Sequence, residues 1–98
     1  MGPYAIVLKR GAIEDLDRLR KYDATQIADA MEKHLAHKPT KESRSRIKRL
    51  RGLSDPDYRL RVADYRVFYS VREQGRRVDV LRIMHKDETR EYYEELER

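Results

Sequence analysis

The sequence predicts an α+β fold: an N-terminal strand, an α-helical hairpin, an antiparallel β-meander sheet and a short C-terminal helix, in the order β-α-α-β-β-β-α. Two observations carry this. Apolar residues recur at three- and four-residue steps between Ile13 and Leu35, then at two-residue steps from Tyr58 onward. The alternating runs are separated by turn signals at hairpin distance, Gln74-Gly75 being the clearer one.

Tyr4 to Lys9 is short and rich in strand formers, and Gly11 is read as breaking that strand. From Ala12, the stripe Ile13, Leu16, Leu19 marks a first helix, with Glu14, Asp15 and Asp17 near its positive N-terminal end. Asp23 is the expected N-cap of a second helix carrying Ile27, Ala30, Met31, His34 and Leu35, and Pro39 marks its end. Tyr58, Leu60 and Val62 then alternate with Arg59 and Arg61, which must point to the opposite face of a strand. Ala63-Asp64 serves as a tight turn. The next strand sets Tyr65, Val67, Tyr69 and Val71 against Arg66, Phe68, Ser70 and Arg72. Val78 to Met84 is the last strand, and Asp87 is the expected cap of a final helix from Glu88 to Leu96. Three strands at hairpin spacing need a cover, and the helical hairpin supplies it. The result is a sheet with one apolar face and one cationic face.

With 98 residues and no cysteine, residues 1–98 are expected to form a single domain held by packing, without disulfides, thiolate metal sites or a cysteine nucleophile. The apolar run Tyr4 to Leu8 is too short for a secretory or membrane-spanning segment, so the expectation is a cytoplasmic protein with no membrane contact. No Gly-rich nucleotide-binding loop and no nucleophile elbow occurs. His34 and His37 stand three apart, but no carboxylate or cysteine cluster accompanies them; His34 reads as packed, and no metal or small-molecule cofactor is expected.

The net charge of +5 comes entirely from the middle of the chain: residues 38–66 carry ten basic and four acidic side chains. Five of the eight positions from Arg44 to Arg51 are basic and none is acidic. Such a block suits either a solvated face or a polyanion, nucleic acid above all. Arginine's planar fork, which grips phosphate at two points, favours binding. His85, directly after the last strand, stands where small enzymes expose working side chains. Tyr92 and Tyr93 follow on the last helix, and at least one must pack.

Leu50 to Leu53, Tyr58 to Val62, Asp64 to Tyr69 and the Val78–Ile83 strand running into His85-Lys86, with Asp15-Leu16 in the helical hairpin, resemble the RelE/ParE toxin superfamily over nearly the whole chain. The resemblance implies a type II toxin–antitoxin toxin. In its RelE branch the toxin is a ribosome-dependent mRNA endoribonuclease, cutting without metal by attack of a ribose 2′-OH; in its ParE branch it inhibits DNA gyrase without nuclease chemistry. Matched by position, Arg59, Arg61 and Arg66 would hold and neutralise the scissile phosphate, and His85 would transfer the proton. Tyr93 would stack on a base or orient the leaving group. Lys41, Arg44, Arg46, Lys48, Arg49, Arg51, Lys86 and Arg90 would contact RNA or the ribosome. The chain departs from the family where paired lysines become arginines, and where a basic residue after the strand becomes Asp87, leaving Arg82 or Arg90 to substitute. The resemblance also implies a cognate antitoxin whose disordered or helical tail would lie across the cationic face, alongside ribosomal RNA and messenger RNA as partners. The alternatives are the gyrase inhibitor and a general nucleic-acid-binding module, which would display more stacking aromatics than Phe68 alone.

Overall fold

In a computed structural model, which describes residues 2–98, β1 (Ala5–Leu8) leads into α1 (Arg10–Asp17) and α2 (Lys21–Leu35). Four further strands follow: β2 (Ile47–Arg49), β3 (Tyr58–Val62), β4 (Tyr65–Arg72) and β5 (Arg77–His85). A 3₁₀ turn (Lys86–Glu88) then joins α3 (Thr89–Leu96). The five strands form one mixed sheet in the order β1-β5-β4-β3-β2, with β1 parallel to β5 and the others antiparallel. Among the described residues no helix is long and apolar enough to cross a membrane.

The α+β expectation holds, with corrections of detail. The basic stretch contains β2, which pairs Ile47 with Leu60 and Lys48 with Arg59. Gly11 lies inside α1 instead of breaking a strand. A Cβ there would sit 2.9 Å from the Leu81 carbonyl oxygen, so glycine lets the helix lie against β5. Asp23 is not a cap, since α2 begins two residues earlier; its carboxylate accepts from Arg20 and from the Tyr65 hydroxyl. Asp87 does not cap the last helix either. His85 opens the 3₁₀ turn: its Nδ1 accepts from the Asp87 amide while the Glu88 carboxylate accepts from the His85 amide.

The hairpin side of the sheet holds the main core, where Ile27, Met31 and Leu35 meet Leu60, Val62, Val67, Tyr69, Val78, Val80 and Ile83. The opposite side is not wholly cationic. There α3 covers β4 and β5 through Tyr92 and Tyr93 packed on Phe68 and Met84, leaving Arg61 of β3 exposed and Arg66 at the start of β4 half-buried. Where β1 ends, Asp15 of α1 takes over the edge of β5, accepting from the Ile83 amide at 2.7 Å and from the Arg82 guanidinium at 2.7 and 3.2 Å.

One irregularity decides the site. Phe68 pairs with Arg82 and Tyr69 with Val80, so Leu81 is an extra residue in β5. A bulge of one residue reverses which side each later side chain faces. After Leu81, Ile83 and His85 point to the hairpin side, and Arg82 and Met84 to the other.

Candidate nucleic-acid interface

The alternation of β3 buries Tyr58, Leu60 and Val62 and turns Arg59 and Arg61 to the other side. In the neighbouring strands Arg61 lies opposite Arg66, and Arg59 opposite Lys48. Two like-charged pairs directly across a ladder oppose folding, by roughly 0.2–1 kcal/mol per pair. A sheet optimised for stability alone would not place them there.

Arg66 is fixed by the turn before it. Ala63 takes a left-handed conformation at φ 52°, and Arg66 Nη1 donates to the Ala63 and Tyr65 carbonyl oxygens at 3.1 and 2.9 Å. Burial, then the Arg59 and Arg61 guanidiniums, hold the Arg66 pKa below the ordinary arginine value, with Asp64 and Tyr93 acting in the opposite direction. Arg59 Nε is buried without an acceptor among the described residues. This face thus offers a positive field that a phosphate would relieve.

Tyr93 reaches the same side from α3, its ring edge-on to Phe68 with centroids 5.7 Å apart. Tyr92 is the buried member of the pair, 4.8 Å from Phe68 by ring centroids, and burial pushes its hydroxyl up to about 12. Arg59, Arg61, Arg66 and Tyr93 therefore share one region, at the rim of α3.

His85 does not join them. It pairs with Tyr65 across β4 and β5, and their rings meet at 83° with centroids 5.7 Å apart on the hairpin side. The Tyr65 hydroxyl in turn donates to Asp23 at 3.0 Å. Its Nδ1 accepts from the Asp87 amide at 3.1 Å and lies 3.5 Å from an Asp87 carboxylate oxygen, which ties the ring to the start of the 3₁₀ turn. His85 therefore stands on the hairpin side of the sheet, whereas Arg59, Arg61 and Arg66 stand on the other. Arg82 cannot substitute, since its guanidinium is committed to Asp15.

The other basic residues scatter. Lys48 stands on the arginine face, whereas Arg49 turns to the hairpin side over the Tyr58 ring, 5.6 Å from its centroid. Arg51 lines a cleft with Leu50, Leu53 and Tyr93. Lys41, Arg44 and Arg46 are exposed in the segment before β2, and Arg90 is exposed on α3. Lys86 Nζ lies 3.6 Å from an Asp64 carboxylate oxygen. Sequence reasoning missed the bulge at Leu81, which has no signal in a run apolar on both faces.

Residues 6–90 match the family model for the ParE toxin of type II toxin–antitoxin systems. No curated protein matches the sequence. Among solved structures, the toxin–antitoxin complex RelBE2 of Mycobacterium tuberculosis is similar with a TM-score of 0.73 at 24% identity, covering 85% of this chain and 98% of that one. A mutant of the Escherichia coli toxin RelE in the free state gives 0.72 at 27% identity, covering 98% and 95%. The archaeal RelE–RelB complex of Pyrococcus horikoshii gives 0.69 at 25% identity, covering 85% and 94%. With its family model spanning most of the chain and its fold that of the RelE toxins, this chain belongs to the ParE toxin family of type II toxin–antitoxin systems, within the RelE/ParE superfamily.

Proposed function

We propose that this toxin is a ribosome-dependent mRNA endoribonuclease that cuts by metal-independent 2′-OH attack, and so inhibits translation. The observation that supports the reading is the gathering of Arg59, Arg61, Arg66 and Tyr93 on one face. In such a cleavage the 2′-oxygen forms a bond to phosphorus as the bond to the 5′-oxygen breaks, leaving a 2′,3′-cyclic phosphate and a 5′-hydroxyl. Negative charge grows on the non-bridging oxygens, and fixed guanidiniums at that point stabilise it without reorganisation. The phenol of Tyr93 would hydrogen-bond the departing 5′-oxygen, or its ring would stack on a base.

His85 plays no part in this scheme; it holds the strand end. The arginine face then offers no side chain that exchanges protons near neutrality, because arginine keeps its proton. Water takes the proton of the 2′-OH and returns one to the departing 5′-oxygen, and the ribosome presents the messenger in the attacking conformation. The ribosome as target places the protein in the cytoplasm. The complexes of M. tuberculosis and P. horikoshii toxins with their antitoxins support a cognate antitoxin here as well, its tail lying over the arginine face.

The lack of a proton-exchanging group, together with the exposed acidic Asp87 after the strand, favours one second reading: a ParE-like gyrase inhibitor that binds without chemistry. Primer extension on programmed ribosomes, with naked RNA as control, separates the two. Cuts that appear only with ribosomes support the nuclease. No cuts, with inhibition in a gyrase supercoiling assay, would replace it.

A further inference from the structure

A cleft of about 520 Å³ opens on the hairpin side of the molecule, away from the Arg59–Arg66 face. It lies between the end of α2 and the segment leading into β2, lined by Lys33, His34, His37, Lys38, Lys41 and Arg46. None of the nine residues lining it is acidic, in a chain where 42% of residues are charged and acidic groups are nearly as common as basic ones. Lys33, His37, Lys38, Lys41 and Arg46 are exposed, so the charge is not spent on the fold.

The cleft connects to the arginine face. A smaller cavity lined by Ser45, Arg46, Arg61 and Ala63 shares Ser45 and Arg46 with it. The Arg61 amide also donates to the Arg46 carbonyl oxygen at 2.8 Å, which fixes the two stretches side by side. Cations therefore follow one another from Arg61, past Arg46, to Lys41, Lys38 and Lys33. Their path leads round the β2 edge of the sheet.

We propose that this cleft binds backbone phosphates of a single RNA strand whose path continues from the arginine face, so that the toxin grips its substrate on both sides of the β2 edge. The proposal rests on the RNA-directed reading above. Beyond the reactive phosphate, the strand would place its flanking phosphates among Arg46, Lys41, Lys38 and Lys33, where point charges on flexible stems hold register without reading sequence. His34 would report the event. Burial, followed by Arg46 and Lys33, holds its pKa below the ordinary histidine value, with His37, Lys38 and Lys41 also lining the cleft around it. An anion seated there reverses that balance and draws a proton onto the ring.

The test is fluorescence anisotropy with a labelled uridylate dodecamer and no ribosomes, so that its result is independent of cleavage. A Lys33→Ala/Lys38→Ala variant is compared with Lys9→Ala/Lys21→Ala, an equal loss of charge at exposed residues outside the cleft. The expected result is roughly tenfold weaker binding for the cleft variant alone. Its log–log salt slope should be shallower by about 1.4, the value for two single-strand phosphate contacts. Equal weakening in both variants, or none in either, would overturn the proposal. In parallel, the His34 ring is titrated by NMR; its midpoint should move up when the dodecamer is added, and an unmoved midpoint would count against the cleft. Loss of binding to an acidic peptide with RNA binding intact would assign the cleft to a protein ligand instead. If the wild-type protein binds the dodecamer through the cleft yet cuts nothing on ribosomes, the nuclease reading fails and this one stands.

Discussion

The two sides of the sheet are built to different ends. On the hairpin side, Leu60, Val67, Tyr69, Val78 and Val80 are fully buried beneath α2 and its neighbours. On the other side, α3 packs on Phe68 and Met84, while Arg61 is set opposite Arg66 and Arg59 opposite Lys48. The first arrangement is what burial favours. The second gives up cross-strand stability to concentrate positive charge, and Arg59 Nε is left without an acceptor among the described residues. Strand β3 belongs to both: its even-numbered residues hold the fold, and its arginines face the proposed phosphate.

The comparison can be broken by mutating each side in turn. Truncation of Leu60 to Ala should cost the most stability, about 2–5 kcal/mol, since it opens a cavity in the main core; urea unfolding would measure it, and a loss under 1 kcal/mol would mean the core closes around the gap. Arg66→Ala should leave stability nearly intact but slow cleavage on ribosomes by about 10²–10³-fold, as expected for a fixed donor to a charged transition state. Asp79 sharpens the contrast from the far end of the arginine side. The Arg77 guanidinium holds its carboxyl below the ordinary value of 3.8, against the opposing effect of burial. The stability this contributes is fully present above the ordinary carboxylate range and is lost as pH falls through the lower folded value. Asp79→Asn should therefore flatten the acid limb of the stability curve, and an unchanged limb would rule out the pairing as its source. The smallest effect is a gain. Replacing Arg61 with Thr, a good strand former, should stabilise the fold by about 0.2–1 kcal/mol as the Arg66 repulsion is removed.

Most of the architecture was readable from periodicity. The helical hairpin and the three-stranded meander each announce themselves by spacing, and the alternation of Tyr58, Leu60 and Val62 with Arg59 and Arg61 places those arginines on the correct side of the sheet. Strand β2 was hidden because Ile47 is its single apolar residue, set among charges that read as a linker. The parallel pairing of β1 with β5 is a long-range choice that no local pattern encodes. His85 shows the limit most clearly. Counted by twos from Val78 and Val80, it falls on the arginine side; the bulge at Leu81 moves it to the hairpin side, beside Tyr65. Periodicity gives the side of a residue only while the register is unbroken.

The division between the two sides is tested most directly by comparing His85→Ala with Arg66→Ala in the pH dependence of cleavage on programmed ribosomes. The account predicts near-normal cleavage by His85→Ala, a wild-type profile with no inflection near the histidine range, and strong loss in Arg66→Ala. A loss of about 10²-fold or more in His85→Ala, together with disappearance of an inflection near pH 6.5, would contradict it and return proton transfer to the histidine.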